Sequence, residues 1–243
     1  MWQRVIEPLS TRFRAMVIDL PGFGESGTSS RKFSTEDHAN FLCYFLKVVG
    51  IQKAIFAGVS YGAQVAVTLA HQHPERVEKL ILIAGTGLST PHSTLTSPPV
   101  WTIFSALAKS TVLRSRWLMC LFGSLSFYRV ECRPSDLCKK FYQQLSKPGS
   151  RDAWLNMLRN IYRGGNNFSK KLSELHVPTM IVWGEHDRTV PARLAAEFHR
   201  LMPTSILKIF PDCAHSVPLE KPQELHDAII AFNGNPANQV MTK

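Results

Sequence analysis

A glycine-flanked serine near position 60 is the feature that most constrains how this chain can fold. A short apolar run at 54–57 leads into the sequence G-V-S-Y-G at 58–62, and helix-compatible residues continue to position 70. An apolar run that is too short for a helix and ends at a glycine indicates a buried strand. The residues after the turn favour a helix packed closely on a sheet. This stretch therefore predicts a strand, a sharp turn and a helix in direct succession.

The turn itself predicts an exposed and activated serine. A strand that turns sharply into a helix leaves the turn residue strained with its side chain exposed, and Gly58 and Gly62 remove Cβ atoms that would clash. Ser60 would stand at the helix N-terminus, where the helix dipole favours developing negative charge, and the N–H of Tyr61 would donate to an oxyanion. The alternative is a serine in an ordinary turn, because the pattern arises by chance in roughly one chain in ten of this length.

The composition is that of a globular protein with a basic surface. With 243 residues, 44% of them hydrophobic, the chain is long enough for one core and an insertion. The net charge of +10 is compatible with nucleic acid, a membrane surface or an anionic substrate. However, the basic residues are scattered from Arg4 to Lys243 without a run, which argues against nucleic-acid binding. Anionic substrates and a membrane surface stay open.

The five cysteines indicate reduced thiols and a cytoplasmic protein. Their number is odd, their spacing is irregular and no C-x-x-C occurs, so no metal site is expected. The N-terminus carries Arg4, Glu7 and Pro8 in place of the apolar stretch of a signal peptide. The longest apolar patch, 117–122, is far too short to span a membrane. We therefore expect no cofactor, no metal and no integral membrane segment.

The order of apolar patterns along the chain predicts an α/β fold with a mostly parallel sheet and flanking helices. Five segments have strand patterns, namely 14–19, 54–57, 76–84, 179–183 and 205–210. Helical patterns occupy 1–13, 34–49, 192–201 and 222–232. From 88 to 170 helical patterns dominate and strands vanish, which predicts an inserted helical cap. The two flanking parts, 1–87 and 171–243, would form the core.

Three candidate catalytic residues follow predicted strands. Ser60, Asp187 and His215 each come after the end of a different strand, and sites on parallel sheets lie beyond the carboxyl ends of strands. A serine hydroxyl is a poor nucleophile unless a base takes its proton and a third group orients the base. The residue types and their chain order therefore suit nucleophilic catalysis.

The chain resembles the α/β-hydrolase superfamily with a helical cap. The matching pieces are D-L-P-G-F-G-E-S at 19–26, the turn at 58–62, G-E-H-D at 184–187 and A-H at 214–215. The resemblance implies that Ser60 is the nucleophile, His215 the general base and Asp187 the orienting carboxylate. Glu185 is the second candidate for the acid. Cys213 would lie near the site without being a nucleophile.

A serine in this turn also limits the reaction. Relatives that open epoxides or cleave carbon–halogen bonds have Asp at the position of Ser60. The resemblance therefore implies hydrolysis of an ester or related acyl bond in a small to mid-sized, partly apolar molecule. Two alternatives stay open, namely a carbon–carbon bond hydrolase of ring-cleavage products and a non-catalytic or truncated ligand-binding protein.

The start of the chain departs from the family pattern. Members usually carry a further strand followed by a His-Gly loop that supplies a second oxyanion N–H, and no His-Gly pair occurs in this chain. That strand would lie between the strands ending at Asp19 and Gly58, so we expect a gap between them. Each unsatisfied buried group there would cost about 1–3 kcal/mol. The alternatives are an upstream segment that fills the gap, direct pairing of the two strands, or a damaged product.

Overall fold

Four parallel strands form one sheet at the centre of the protein. The computed structural model describes residues 1–27, 32–88, 98–163 and 165–234. The strands are β1 (Ala54–Val59), β2 (Val77–Ile83), β3 (Thr179–Gly184) and β4 (Ile206–Phe210). They pair in the order β1-β2-β3-β4. The predicted α/β fold with a mostly parallel sheet and flanking helices is confirmed.

Helices precede the sheet, connect its strands and follow it. They are α1 (Ile6–Ser10), α2 (Thr35–Val48), α3 (Tyr61–Gln72), α4 (Pro98–Ser110), α5 (Arg116–Ser124), α6 (Leu137–Ser146), α7 (Ser150–Arg163), α8 (Gly165–Ser173), α9 (Arg193–Leu201), α10 (Val217–Glu220) and α11 (Pro222–Gly234). A short 3-10 turn at Val112–Arg114 joins α4 to α5. The first of the long helices, α2, starts at a capping box in which the Asp37 N–H donates to Ser34 Oγ and the Ser34 N–H donates to Asp37 Oδ2.

The register of the sheet brings the carboxyl ends of its strands to one edge. Val59 lies beside Ile83, and Ile83 lies beside Val182. Gly184 then lies beside Phe210. Residues that follow β1, β3 and β4 therefore meet at this edge, which is where ligands bind on open parallel sheets.

The interior strands are much better covered than β1. All six residues of β3 are buried, and Trp183 packs edge-on against Phe198 of α9 with ring centroids 5.5 Å apart. In β1 only Gly58 is buried, and Ala57 is exposed. The prediction of a buried strand at 54–57 is therefore right about the strand and wrong about its burial, because β1 lies at the edge of the sheet.

The segment 14–19 is a second correction. The sequence predicts a buried strand there, but the structure assigns it no strand, and Met16 and Val17 are 40% and 54% exposed. Its apolar pattern is suitable for a strand, yet backbone pairing needs a neighbour, and none of the described strands lies beside it. The segment 14–19 and β1 therefore do not pair directly with each other.

A cavity lies between the segment 14–19 and β1. Its volume is about 870 Å³, and residues 13–20 and 53–62 line it together with Met1 and Trp2. The expected gap is therefore present as an open, mostly apolar space. Because β2 is the described neighbour of β1, the other edge of β1 faces this cavity with its backbone groups.

The helices between β2 and β3 have a small core of their own. Five of their side chains form a separate buried cluster, namely Ala108, Leu113, Met119, Leu145 and Leu155. At the end of this region α8 belongs to the main core, where Phe168 and Leu172 are buried. The limits of a cap at residues 88 and 170 remain a prediction, and the positions 89–97 lie outside the described residues.

The cysteines require a third correction. Cys120 of α5 and Cys138 of α6 form a disulfide with Cα atoms 5.3 Å apart, a separation suitable for such a bond. The expectation of five reduced thiols is wrong for this pair, because helix packing brings together two cysteines that are 18 positions apart. In the described part of the chain, no helix is long and apolar enough to cross a membrane.

Candidate active site

Ser60 occupies a strained turn between β1 and α3. Its φ of 56° and ψ of −117° place a non-glycine residue in a backbone region that L-residues rarely adopt. The Ser60 N–H donates to Ile83 O at 2.8 Å, and the Thr86 N–H donates to Ser60 O at 3.3 Å. These bonds to the segment of β2 and its following loop hold the turn in place.

The two glycines that flank the turn have different roles. A Cβ on Gly58 would overlap the backbone of Gly62, whereas a Cβ on Gly62 would meet nothing within 4 Å. The close approach of β1 and α3 therefore requires glycine at 58 only. The sequence argument for a steric role holds for Gly58 and is wrong for Gly62.

Asp187 lies in the turn after β3 with both carboxylate oxygens in use. The N–H groups of Thr189 and Val190 donate to Oδ1 at 2.8 and 2.9 Å. The other oxygen, Oδ2, lies 2.7 Å from His215 Nδ1. Because its side chain is fully buried, these bonds fix the direction in which the carboxylate points.

His215 follows β4 and receives its orientation from Asp187. A carboxylate accepts hydrogen bonds, so Nδ1 of the neutral imidazole carries the proton and Nε2 is the acceptor. His215 and Ser60 both line the cavity beside β1. The hydrogen bonds of the described residues include none between the Ser60 hydroxyl and His215. Asp187 and His215 are therefore hydrogen-bonded to each other, and the Ser60 hydroxyl lies in the same cavity without a bond to His215. A nucleophile, a base and a group that orients the base are the three parts that nucleophilic catalysis needs.

The second candidate acid is not at the site. The Glu185 side chain is half exposed and lies 3.7 Å from His186, whereas Asp187 makes the bond to His215. Of the two carboxylates that the sequence offers after β3, the structure brings Asp187 to the histidine.

Glu220 is a residue that the sequence analysis missed. One of its carboxylate oxygens accepts the N–H of Ala214 at 2.8 Å, and the other accepts the N–H of Tyr128 at 2.7 Å. The Ser216 N–H also donates to Ser126 O at 3.0 Å. The loop that carries His215 is thus bonded to the turn after α5. No local pattern marks Glu220, because its partners are a backbone group six residues away and another 92 residues away.

A polar network beneath the inserted helices joins Tyr61 to the rest of the protein. His38 Nε2 lies 3.1 Å from Pro21 O, and Nδ1 lies 2.8 Å from the Tyr61 hydroxyl. Since a carbonyl accepts, Nε2 donates and Nδ1 accepts from Tyr61. The Asn160 side chain of α7 donates to the same hydroxyl at 3.2 Å. Burial lowers the pKa of His38 and raises the pKa of Tyr61, so both stay neutral near pH 7.

Tyr61 is the residue whose N–H the sequence suggests as an oxyanion donor. Tyr61 opens α3 directly after Ser60, and the first N–H groups of a helix have no partner inside it. Its hydroxyl is hydrogen-bonded to His38 and Asn160. This position is compatible with the donor role that the sequence suggests for Tyr61.

Cys213 lies near His215 but is not suited to act as a nucleophile. Cys213 is fully buried, and burial raises the pKa of its thiol well above its usual range. A buried thiol that holds its proton is a weak nucleophile. Within the described ranges, no group of three His, Cys, Asp or Glu side chains is arranged to hold a metal ion.

Comparisons with known proteins give one consistent family. The family model for the alpha/beta hydrolase fold matches residues 1–222. A 2-hydroxy-6-oxononadienedioate/2-hydroxy-6-oxononatrienedioate hydrolase of Pseudomonas putida is 28% identical over an alignment 239 residues long, which covers 95% of this chain and 81% of that protein.

Solved structures agree on the fold. A serine hydrolase involved in carbazole degradation superposes with a TM-score of 0.79 at 22% identity, over 96% of this chain and 83% of that one. A bromoperoxidase from Bacillus anthracis superposes with a TM-score of 0.82 at 17% identity, over 96% and 87%. At these identities the superpositions show a shared fold.

Proposed function

Because this chain belongs to the α/β hydrolase fold family, we propose that it is a serine hydrolase that cleaves an ester or related acyl bond through an acyl-enzyme on Ser60. The observation that carries the proposal is the buried bond of 2.7 Å between Asp187 Oδ2 and His215 Nδ1. Burying a carboxylate is costly unless its hydrogen bonds are satisfied. Here the bonds are satisfied in the geometry that orients a general base.

The proposed reaction has two steps, formation of the acyl-enzyme and its hydrolysis, and His215 acts as base and then as acid in each. His215 Nε2 takes the proton of Ser60 while Oγ attacks the acyl carbon, and the developing oxyanion accepts the Tyr61 N–H. The imidazolium, stabilised by Asp187, gives the proton to the leaving group as the bond to the acyl carbon breaks. Water then attacks the acyl-enzyme with His215 as the base, which restores Ser60.

The inserted helices would act as the cap over this site and shape the substrate pocket. The proposed substrate is a small to mid-sized, partly apolar molecule. Asn160 joins α7 to Tyr61, so the proposed cap is bonded directly to the residue after the nucleophile. No cofactor is needed for this chemistry.

Labelling with a fluorophosphonate probe tests the proposal. We expect one covalent adduct by intact mass on the wild-type chain and none on Ser60→Ala. The matched control is Ser173→Ala, since Ser173 is an exposed serine whose hydroxyl donates to Lys170 O; this variant should be labelled like the wild type. If folded wild-type protein gives no adduct, the catalytic proposal is wrong for this chain.

A second candidate is hydrolysis of a carbon–carbon bond. It is favoured by the Pseudomonas putida relative, whose name gives a 2-hydroxy-6-oxo dienedioate as substrate. The two reactions are distinguished by measuring kcat/KM for 2-hydroxy-6-oxononadienedioate and for p-nitrophenyl butyrate and comparing the two values. A higher kcat/KM for the ester supports the first candidate, and the opposite order supports the second.

A third candidate is a ligand-binding protein without turnover. It is favoured by the cavity beside β1 and by the hydroxyl of Ser60, which is not bonded to His215 in the described structure. Ligand binding that is unchanged by Ser60→Ala, together with the absence of probe labelling, would support this candidate.

A further inference from the structure

Two of the inserted helices present large apolar side chains to the outside. On α4, Ile103 and Leu107 are 70% and 60% exposed, and on α5 Trp117 and Leu121 are 70% and 49% exposed. Leu125, in the turn after α5, is 47% exposed. Residues four positions apart lie on the same side of a helix. We call these five residues, which lie on two helices joined by one short turn, the outer face.

The two helices expose these side chains while other side chains of the same helices are packed in the small core. Ala108 of α4 and Met119 of α5 are buried in the small core together with Leu113 of the 3-10 turn between them, and both helices contact this turn. A helix that is anchored on one side and still exposes Trp, Leu and Ile on the other is typical of an interaction surface.

The chain segment that carries the outer face has basic residues and no acidic ones, and Asp152 of α7 pairs with Lys109 of α4. Between Glu78 and Glu131 the sequence contains no acidic residue. Arg114, Arg116 and Arg129 are exposed, and the ion pairs found in the described part of the chain include none of these three. The outer face is therefore apolar with arginines at its border.

We propose that the outer face binds the surface of an anionic lipid bilayer. Helices with Trp and Leu on one side and basic residues beside them lie in the headgroup region with their apolar side chains at the acyl boundary. Arginine pairs well with lipid phosphate groups, and basic residues near the surface strengthen binding to anionic leaflets.

A second copy of this chain fits the outer face poorly. In a two-fold symmetric dimer the same patch meets itself, which would bring both copies of Arg114, Arg116 and Arg129 to one interface. Like charges across an interface are unfavourable. A bilayer with negative headgroups neutralises the same three residues.

The outer face continues into the candidate active site. Leu125 is followed by Ser126 and Tyr128, whose backbone groups are bonded to Ser216 and Glu220 beside His215. Docking of the outer face would therefore involve the chain segment that is bonded to the His215 loop. The binding itself needs no chemistry at Ser60 and stands apart from the proposed function.

Vesicle flotation tests the proposal with the full chain. The probes are vesicles of phosphatidylcholine alone and vesicles with one third phosphatidylglycerol. We expect the wild type to float with the anionic vesicles, and Trp117→Ser with Leu121→Ser to lower the apparent affinity about tenfold or more. Arg114→Glu with Arg116→Glu should remove the preference for anionic vesicles.

The matched control uses a second exposed apolar pair. Tyr44 and Val48 on α2 are 66% and 64% exposed at the same spacing, so Tyr44→Ser with Val48→Ser should bind like the wild type. Quenching of tryptophan fluorescence by brominated lipid should decrease when Trp117 is replaced. Circular dichroism checks that each variant is folded.

Three outcomes would overturn the proposal. They are a folded wild type that does not float with anionic vesicles at low salt, an α2 control that loses as much binding as the outer-face variant, and a dimer that the Trp117 and Leu121 changes dissociate without any effect on flotation. The last outcome would assign the outer face to a second copy of the chain. None of these outcomes depends on turnover, so failure of the proposed function would be seen separately.

Discussion

The two halves of the candidate site differ in their burial and in their hydrogen bonds. The half with Asp187 and His215 stands on β3 and β4, is buried and has its hydrogen bonds made. The half with Ser60 stands on β1, beside a cavity of about 870 Å³, and its hydroxyl has no bond to His215. The first half is held by hydrogen bonds within and between its loops, whereas the second is held from the side of β2 and α3.

This difference shows what each half depends on. Asp187 and His215 depend on short loops whose backbone groups bind one another, so their geometry is fixed locally. Ser60 depends on the position of β1, and an edge strand with a cavity beside it has fewer contacts to define that position. We expect changes at Asp187 and His215 to act on the chemistry, and changes in the backbone that positions Ser60 to act on stability and order.

The largest expected effect is that of Asp187→Asn. An amide in place of the carboxylate favours the wrong tautomer of His215 and no longer stabilises the imidazolium, which should lower kcat by about 10⁴-fold. The measurement is the rate of ester turnover or of probe labelling. Glu185→Gln is the control, because Glu185 is a half-exposed carboxylate that does not contact His215. Equal effects of the two changes would contradict the assignment of the acid.

The next effect separates the two glycines of the turn. Gly58→Ala forces a Cβ into the backbone of Gly62 and should lower the free energy of unfolding by about 3 kcal/mol. Gly62→Ala has open space for its Cβ, lies in α3 and should leave the protein equally stable or stabilise it by up to about 1 kcal/mol. Urea denaturation measures both. A similar loss in both variants would show that the close approach is not what requires Gly58.

A third prediction compares the strands directly by hydrogen exchange. In a parallel edge strand alternate N–H groups point away from the neighbouring strand, so part of β1 should exchange about a hundredfold faster than β3. Mass spectrometry of the peptides that cover 54–59 and 179–184 makes the comparison. Equal protection in the two strands would mean that β1 is covered on both sides in solution.

The smallest expected effect concerns His38 and pH. Because burial lowers the pKa of His38, the unfolded chain binds a proton near pH 6.5 that the folded chain does not bind. This contribution to stability is therefore present above about pH 6.5 and is lost as the pH falls towards the lowered pKa. His38→Gln should lower stability by about 1 kcal/mol at pH 7.5 and by less at pH 5.5. Parallel curves of unfolding free energy against pH for variant and wild type would contradict this.

Local patterns in the sequence predict much of the fold and the identity of the site. The run before Gly58, the turn at Ser60 and the helix after it lie next to one another in the chain, so short-range rules are sufficient. The order of Ser60, Asp187 and His215, each after a strand, is also readable without coordinates. The roles of these residues remain proposals.

Features made by distant contacts were not predictable in the same way. The segment 14–19 has a strand pattern, but whether it pairs depends on a neighbour elsewhere in the chain. Cys120 meets Cys138 because α5 packs on α6, and the spacing of the two residues does not show this. Glu220 and Asn160 act through partners far away in sequence, and nothing around either residue signals it.

The two bonds of Glu220 connect the turn after α5 to the loop that carries the proposed base, His215. One oxygen holds the loop of His215, and the other holds the turn that follows α5. A ligand that lifts this turn must either strip Glu220 of a partner in a partly buried place or move the His215 loop with it. Displacement of this turn would therefore act on the His215 loop through the Glu220 carboxylate and through the bond from the Ser216 N–H to Ser126 O.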